Sequence, residues 1–288
     1  MTVAAVVVNW QNWPDTKVAL NSLLALPEWR TGLLSVCIVD NGSKDGSVEA
    51  IQDFVNVVGD ERIRLLCSSE NRGYAAGCNI GICWAHERSS EFVWLLNNDV
   101  ELETSALSAL IFCAGHRPEV KIWGSTILNA STGELEYAGG GYYNPWLSLQ
   151  RSSRGNTDAP LDFIYGAAMF VRADVFTQFG LMNEKLFLYY EELDLICRMG
   201  SDSNIAWCEQ SVVRHIGAAS SGTDDNSAKL RQFHENLSTF KFTRSHYPYC
   251  LPSVVAVRIL IKPVLYLARG QWFLITPLVQ SLLAAFRE

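Results

Sequence analysis

The run Asn97-Asn98-Asp99 is the first group of residues in this 288-residue chain whose types could do chemistry. It follows a short apolar segment, Phe92 to Leu96, which predicts a buried strand. A carboxylate and two amide oxygens are therefore expected at the carboxyl end of that strand. Hard oxygen ligands suit Mg²⁺ or Mn²⁺, which keep substrate phosphates and water among their ligands. The alternative interpretation is that these residues only cap a helix.

Two further groups are candidates for a site. The adjacent carboxylates Glu191 and Glu192 stand where a helical pattern begins, a place where acids are also favoured by the helix dipole alone. His215 is a lone histidine, which is more often structural than functional. Polar residues also stand at the predicted ends of other strands, at Asn9, Asp40 and Asn71.

The elements that must position these residues alternate between strand and helix. Short apolar, β-branched runs at Val3 to Val8, Leu33 to Val39, Ile63 to Cys67 and Phe92 to Leu96 predict four buried strands, and the segments between them read as helices. Such alternation predicts an α/β fold with a doubly wound parallel sheet. Ligands of these sheets bind beyond the carboxyl ends of the strands, where the polar residues gather.

The second part of the chain has a mixed pattern. Residues 101–217 show short strands at Val120 to Ile127 and Phe163 to Val171 and a helix entered near Glu191, without a Pro/Ser linker. A loop-like segment, Gly217 to Ser227, precedes a more apolar tail. We therefore expect one domain over residues 1–220, with halves at about 1–100 and 101–220, and a helical tail at 221–288.

Composition excludes several classes of protein. A net charge of −7 provides no basic field for DNA or RNA, so nucleic acid is not an expected partner. The eight cysteines are scattered without metal-site or disulfide-framework spacing, which is typical of a reducing compartment. No secretory signal pattern is visible at the N-terminus, and a cytoplasmic protein is expected.

Several motifs in order resemble family 2 glycosyltransferases of the GT-A fold. They are Val39-Asp40-Asn41-Gly42-Ser43 with Asp45-Gly46-Ser47, Asn71-Arg72-Gly73 through Asn79, Leu95-Leu96-Asn97-Asn98-Asp99, and Tyr189-Tyr190-Glu191-Glu192-Leu193-Asp194-Leu195 through to His215. The similarity covers about residues 3–220. Within the family, the sequence is most similar to bacterial rhamnosyltransferases and relatives of galactofuranosyltransferases.

The resemblance implies a binding site for a nucleotide diphosphate sugar. Asp40 matches an Asp that accepts a hydrogen bond from a uracil or thymine imide, although a turn-forming role is the alternative. Arg72 matches an Arg near the nucleotide, with a surface ion pair as the alternative. The implied donor-binding residues are Asn9, Asp40, Asn41, Asn71, Arg72, Gly73, Asn79, Asn97 and Asn98.

The resemblance also implies a divalent metal, Mg²⁺ or Mn²⁺. Asp99 matches the last acid of the family's Asp-x-Asp motif and would ligate the ion directly. Asn97 departs from that motif because its amide oxygen is a neutral, weaker ligand. His215 matches a histidine that completes the metal shell in relatives.

For catalysis, the resemblance implies that Glu192 is the base and that Glu191 supports it. Relatives commonly carry Glu-Asp or Asp-Asp here, so a Glu at this position is a departure. The implied reaction is a single displacement that inverts the anomeric carbon, with dTDP-rhamnose favoured as donor and a UDP-sugar next. Tyr165, Gly166 and Asp194 are the candidates for acceptor binding, and Asp194 could equally pack a helix.

The tail from Leu251 to Phe286 is strongly apolar, with cations at Arg258, Lys262 and Arg269. On a helix these cations share a narrow stripe, so the segment could lie on the inner face of the cell membrane with the stripe toward anionic lipid. Such a tail would suit a lipid-linked or surface-glycan acceptor. The alternatives are a hairpin packed on the catalytic domain and a homodimer interface. A spanning helix is not favoured, because the uncharged runs are too short.

Two other classes of protein remain to be weighed. An NAD-type oxidoreductase would use the same opening elements, but no G-x-G-x-x-G follows the first strand. A non-catalytic, membrane-associated protein of the same fold that only binds a nucleotide sugar is the second alternative. Asn97 and Glu192, the two departures from the family pattern, are the features that favour it.

Overall fold

The computed structural model describes residues 1–155, 160–202, 204–217 and 225–287. Within them, the protein is a mixed sheet with helices on both faces, followed by a layer of C-terminal helices. The strands are β1 Val3–Asn9, β2 Leu34–Asn41, β3 Ile63–Ser68, β4 Phe92–Asn97, β5 Val100–Leu102, β6 Ile122–Asn129, β7 Leu135–Ala138, β8 Gly140–Asn144, β9 Leu149–Ser152, β10 Phe163–Ile164, β11 Ala168–Arg172 and β12 Ile205–His215.

The helices alternate with strands at first and then form the tail. They are α1 Trp13–Ala25, α2 Pro27–Arg30, α3 Ser47–Val58, α4 Tyr74–Glu87, α5 Ala106–His116, α6 Ala173–Phe179, α7 Glu191–Met199, α8 Asp225–His246, α9 Leu251–Ala256, α10 Lys262–Ala268 and α11 Ile275–Ala285. A π-helical stretch, Val257–Ile261, joins α9 to α10.

The predicted parallel core is confirmed. Strands β3, β2, β1 and β4 lie side by side in that order, and each pair within them is parallel. All seven residues of β1 are buried, as expected for a β-branched strand covered by helices on both faces. The observed strands run one or two residues past the predicted ends, so Asn9 and Asn97 belong to strands. The polar residues therefore still meet at the carboxyl edge.

Beyond β4 the sheet becomes mixed. Strand β11 is antiparallel to β4 and β6, while β12 is parallel to β6 and antiparallel to β5. The single strand expected over Phe163 to Val171 is wrong: it breaks into β10 and β11, because residues 165–167 leave the ladder. This break brings Tyr165 and Gly166 toward the carboxyl edge of β4, where Asn97 N donates to Ala167 O at 3.0 Å.

The C-terminal helices pack on the rest of the protein, and α8 packs against α11. The predicted loop Gly217 to Ser227 lies mostly outside the described residues, and its last three residues begin α8. By length and composition alone, one helical segment of the described chain, Pro248–Ala268, could cross a membrane. All eight cysteines are free in this structure.

The expected lipid-facing stripe of cations is wrong for two of its three members. The guanidinium of Arg258 is only 5% exposed and lies 3.0 Å from Glu235 Oε1, which also binds Lys262 Nζ at 3.0 Å. Both cations thus turn toward α8. The physical reason is that the half-buried carboxylate of Glu235 on α8 offers the buried guanidinium of Arg258 a charged partner within the protein. Arg269 is exposed.

Candidate active site

A cavity of about 510 Å³ opens at the carboxyl edge of the sheet. Its walls come from the end of β4, from the break before β11, from the start of α7 and from one face of α8. Among the predicted site residues, the described wall contains Asn41, Asn71, Asn97, Asn98, Asp99, Tyr165, Gly166, Glu191 and Glu192. The structure therefore brings the metal-motif acid and the paired glutamates to one space.

Asp99 is held beside His215 by strand pairing. His215 is the last residue of β12 and lies opposite Val100 of β5, and the next amide, Ile216 N, donates to Asp99 O at 2.8 Å. The His215 Nε2 atom lies 3.5 Å from Asp99 Oδ1, and its Nδ1 lies 3.1 Å from Glu136 Oε2. Although burial lowers the pKa of His215, the carboxylates of Asp99 and Glu136 raise it above its usual value.

This arrangement fits a divalent ion. A proton on Nδ1, shared with Glu136, leaves the Nε2 lone pair facing Asp99, as in sites where a second carboxylate orients a metal-binding histidine. Within the described residues no three His, Cys, Asp or Glu side chains are placed so that all could ligate one metal ion, so an ion here would take its other ligands from substrate and water. Asp99 and His215 are thus the two residues of this pair that would hold it, and a metal contact from Asn97 stays a prediction.

Asn97 and Asn98 have different surroundings. Asn97 is half-buried on the cavity wall. Asn98 is 8% exposed, and its amide nitrogen donates to Thr16 Oγ1 at 3.0 Å, which ties the end of β4 to α1. The amide oxygen of Asn98 is the part of this side chain that could still serve a ligand.

Glu191 and Glu192 begin α7 behind a strained turn. Tyr189 and Tyr190 have φ of 70° and 73°, a left-handed conformation that costs tyrosine free energy and persists only where its surroundings enforce it. The Tyr190 hydroxyl is held at 2.9 Å from Ser148 Oγ. The turn therefore aims the two carboxylates into the cavity.

The environment of the two carboxylates raises their pKa values. Burial raises the pKa of Glu192 to about 7. Burial and the neighbouring charge of Glu192 raise the pKa of Glu191 well above its usual range, and its Oε2 atom has no hydrogen-bond partner among the described residues. A Cβ on Gly166 would lie 3.7 Å from the Glu192 carboxyl, so only a small residue there keeps the carboxylate accessible. A carboxylate with pKa near 7 suits general base catalysis.

The loop after β3 closes the other side of the cavity. Asn41 Nδ2 donates to Gly73 O at 2.9 Å and to Asn71 Oδ1 at 3.0 Å. Gly73 has φ of 94°, and a Cβ there would lie 2.4 Å from Phe187 O, so this position requires glycine. The loop and the wall residue Phe187 are thereby fixed against each other.

Asn9 and Asp40 lie beneath the cavity and not on its described wall. Both are fully buried. Asp40 accepts from Asn9 Nδ2 at 2.7 Å and from Ser43 N at 2.8 Å, so both of its oxygens already bind protein donors. In this structure the two residues support the turn after β2, and base recognition by Asp40 stays a prediction.

Arg72 and Asn79 also lie off the described wall. The Arg72 guanidinium is 57% exposed and pairs with Glu184 at 2.7 Å, which is the surface ion pair foreseen as the alternative. Asn79 exchanges two hydrogen bonds of 2.9 Å with the backbone of Met182. Both residues hold the segment around Glu184, and contact with a nucleotide stays a prediction for each.

Of the candidates for acceptor binding, Tyr165 and Gly166 lie on the cavity wall and Asp194 does not. Tyr165 lies on the wall and stacks on Tyr137, with ring centroids 3.8 Å apart. Asp194 is buried and binds Arg198 Nε and His246 Nε2, both at 2.8 Å, so it packs α7 against α8. Although burial raises its pKa, these hydrogen bonds lower it.

Sequence reasoning missed one wall of the cavity, the face of α8. This face presents four residues to the cavity: Ser227, Leu230, Arg231 and His234. The His234 ring stacks on Phe187 at 4.1 Å, and burial lowers its pKa. The signal was available, because steps of three and four residues place all four on one side of a helix. The local sequence pattern did not predict which part of the protein this side of α8 would contact.

The fold is that of GT-A glycosyltransferases. A mannosyltransferase from Pyrobaculum calidifontis, solved with GDP-Man and Mn²⁺, superposes with a TM-score of 0.62 at 14% identity, covering 99% of this chain and 86% of that one. The predicted fold class, a mostly parallel central sheet with flanking helices and a C-terminal helical extension, is therefore confirmed.

The family is shown by sequence. The model of glycosyl transferase family 2 matches residues 4–176, and the chain belongs to that family. It is 27% identical over 221 residues to N-acetylglucosaminyl-diphospho-decaprenol L-rhamnosyltransferase of Mycobacterium tuberculosis, covering 67% of this chain and 70% of that protein. It is 22% identical over 204 residues to the dTDP-rhamnosyl transferase RfbF of Shigella flexneri, covering 68% of this chain and 62% of that one. The predicted likeness to rhamnosyltransferases is confirmed.

Proposed function

We propose that this glycosyltransferase moves a sugar from a nucleotide diphosphate donor to a hydroxyl of a glycan or lipid-linked glycan, with inversion. The observation that carries this proposal is the single cavity that joins Asp99 to Glu191 and Glu192. Its volume, about 510 Å³, is in the range of small-molecule sites. dTDP-rhamnose is the favoured donor and a UDP-sugar the next, because relatives carry the name rhamnosyltransferase.

In the proposed reaction, Glu192 removes the proton from the acceptor hydroxyl as its oxygen attacks the anomeric carbon. The nucleoside diphosphate leaves from the opposite face, so one bond forms as the other breaks. Mg²⁺ or Mn²⁺ at Asp99 and His215 would neutralise charge on the departing diphosphate. Glu191 supports Glu192: burial and the charge of Glu192 raise the pKa of Glu191 well above its usual range, so Glu192 is the carboxylate of the pair that ionises first.

The same family membership would also fit a protein that binds a nucleotide sugar without transferring it. The raised pKa of Glu192 favours the enzyme, because a binding module gains nothing from a titrating carboxylate beside its ligand. We further propose that residues 1–220 form the catalytic domain and residues 221–288 a tail, and that the protein acts on the cytoplasmic face of the membrane. A homodimer remains a prediction.

The experiment is a donor panel with and without metal. Release of nucleoside diphosphate is measured from dTDP-rhamnose and UDP-hexoses with Mn²⁺, with Mg²⁺ and with EDTA, and the anomeric configuration of the product is determined by NMR. Metal-dependent release from one donor and an inverted product are expected. Tight donor binding that needs no metal and gives no turnover would instead identify the non-catalytic binder.

A further inference from the structure

Two of the cysteines lie together in the structure although 95 positions separate them in the sequence. Cys113 is on α5 and Cys208 is on β12, and their Sγ atoms are 3.0 Å apart. A disulfide bond is about 2.0 Å long, so the two sulfur atoms need to approach by about 1 Å to form one. We call these two residues the thiol pair.

The two members of the thiol pair differ in their access to solvent. Cys113 is half-buried, and its neighbour Phe112 is 64% exposed. Cys208 is fully buried in the hydrophobic core against which Cys113 packs. A small oxidant that approaches from solvent therefore reaches Cys113 first. Cys208 is then the second thiol, which meets the oxidised sulfur from inside the protein.

Cys208 lies beside a bulge in β12. It pairs with Ser125 of β6, and the next paired residue is Val212, so residues 209–211 leave the ladder. Burial raises the pKa of the Cys208 thiol, although the amides of Ser211 and Gln210 donate to its sulfur and lower it. Bulges interrupt a ladder and re-aim side chains. The approach of the Cys208 sulfur to Cys113 therefore does not require the whole strand to move.

We propose that the thiol pair is a site of reversible oxidation, at which a peroxide converts Cys113 and Cys208 into an intramolecular disulfide. The Cys113 thiolate attacks one oxygen of the peroxide, the O–O bond breaks, and Cys113 becomes a sulfenic acid. The Cys208 sulfur then attacks the Cys113 sulfur, the S–O bond breaks, and the hydroxide leaves as water with the Cys208 proton. With hydrogen peroxide, two thiols and one peroxide give one disulfide and two molecules of water. A thiol reductant reverses the reaction.

The disulfide joins the two parts of the chain that carry the candidate metal residues. Helix α5 follows β5, which begins directly after Asp99, and β12 ends at His215. A link that closes a loop of about 95 residues restricts the unfolded chain and thereby stabilises the folded protein. In a reducing compartment the pair is present as two thiols, and an oxidant closes it. This proposal does not rest on the proposed function.

Peptide mapping of the whole chain tests the proposal. The protein is treated with one equivalent of hydrogen peroxide, which catalase then removes, and the remaining thiols are alkylated in denaturant. Peptides are analysed by mass spectrometry without reduction. We expect the peptides of Cys113 and Cys208 to be joined within one molecule, and dithiothreitol to separate them. The midpoint of thermal unfolding should rise by roughly 5–10 °C on oxidation.

Cys113→Ser should abolish both the link and the rise in the unfolding midpoint. The matched control is Cys83→Ala, which removes an exposed cysteine of α4 and should keep both. Mapping of the wild type needs no variant, so the proposal is tested even if Cys113→Ser folds poorly. Alkylation of both thiols after peroxide, a sulfinic acid on Cys113 beside a free Cys208, or a disulfide between two molecules would overturn it.

Discussion

At the scale of the single residue, Glu192 has the surroundings of a general base. It begins a helix, lies against Gly166 and has a pKa raised by burial to about 7. At neutral pH such a carboxylate is present in both protonation states, so it can accept a proton and release it. Glu191 is more buried and has no partner for Oε2, so it is the weaker candidate for direct proton transfer.

Glu192→Gln should abolish most turnover without unfolding the protein. The amide keeps the size of the side chain but cannot accept the acceptor's proton, and a positioned base contributes on the order of 10²- to 10⁴-fold in rate. Initial rates and thermal unfolding are measured together. Glu101→Gln, an exposed acid on β5, is the control and should keep the wild-type rate. Full activity of Glu192→Gln would reject the assignment of the base.

The pH dependence of kcat/KM should follow the ionisation of Glu192. Because the pKa of the folded protein is raised to about 7, the base is protonated and inactive below that pH. The rate should therefore rise about tenfold per pH unit below 7 and level off above it. A profile measured from pH 5 to 9 checks this. A plateau that already begins at pH 5 would mean that another group accepts the proton.

Glu136→Gln should weaken metal binding although Glu136 would not touch the ion. Glu136 lies on the Nδ1 side of His215 and fixes which ring nitrogen faces Asp99. Loss of such an orienting carboxylate typically costs on the order of 10- to 100-fold in metal affinity. Titration with Mn²⁺, followed by electron paramagnetic resonance in the presence of nucleoside diphosphate, measures it. Glu134→Gln, exposed on the same hairpin, should bind Mn²⁺ like the wild type.

The sequence predicted the residues at the strand ends better than those in the loops. Asp99 follows directly from a buried strand, so its place at the carboxyl edge was set by the sheet. Arg72 and Asn79 depend on the position of Glu184 and Met182, more than a hundred residues later. No local pattern specifies such a contact, and the resemblance alone assigned these two side chains to the nucleotide.

At the scale of elements, the turn into α4 and the wall at Phe187 are fitted to each other. Gly73 makes this possible, because its left-handed backbone and missing Cβ allow the Phe187 carbonyl to approach. Tyr74 N donates to that carbonyl at 2.8 Å. The two segments that border the cavity are thus held together.

Gly73→Ala should displace the wall and weaken donor binding. The new Cβ would lie 2.4 Å from Phe187 O, so the backbone must shift, at a cost of about 1–3 kcal/mol or more. Chemical denaturation and the Kd for nucleoside diphosphate measure the two effects. Gly133→Ala is the control: its φ of 71° is similarly left-handed, but its Cβ would meet no atom within 4 Å. Equal effects of both substitutions would show that only backbone strain matters.

The parallel strands could be predicted from sequence because each is a short, continuous apolar run ended by a polar residue. The break between β10 and β11 could not, since Tyr165-Gly166-Ala167 lies inside an otherwise apolar stretch. Strand β10 ends because of the geometry of its neighbouring strands. The next strand, β11, begins at Ala168, which pairs with Leu96 of β4. The break therefore became visible only with the pairing partners in place.

At the scale of the whole molecule, Arg258 connects the tail to the catalytic part. Its guanidinium reaches Glu235 and Asn236 at 3.0 Å and Thr239 Oγ1 at 3.1 Å, and it lies 3.4 Å from Ser148 O. Ser148 in turn holds Tyr190, the residue before the paired glutamates. The tail is thus linked by a buried hydrogen-bond network to the turn that aims Glu191 and Glu192.

Arg258→Ala should destabilise the protein by about 3 kcal/mol, the lower end for breaking a buried ion pair, because Glu235 is 37% exposed and Lys262 still binds it. Denaturant unfolding measures the change. Arg287→Ala, an exposed cation at the end of the tail, is the control and should fall within about 0.5 kcal/mol of the wild type. A wild-type free energy of unfolding for Arg258→Ala would show that the tail packs independently of this cluster.

The cluster has a defined pH dependence. Burial raises the pKa of Glu235, but Lys262 and Arg258 lower it further, to about 2. Its stabilising contribution is therefore complete above the unfolded pKa of about 4.3 and is lost as the pH falls toward 2. From sequence, the stripe of cations favoured a membrane surface, and only the fold shows Glu235 on the helix beside it.

The contribution of α8 to the cavity wall bears on how this enzyme can be divided for experiments. A fragment that stops near residue 220 would keep every described strand and both glutamates, yet it would lack the side chains of Leu230, Arg231 and His234 that line the cavity. Water would then enter from that side and compete with the acceptor hydroxyl. We expect such a fragment to hydrolyse its donor without transferring the sugar. A search for the natural acceptor should therefore use residues 1–288.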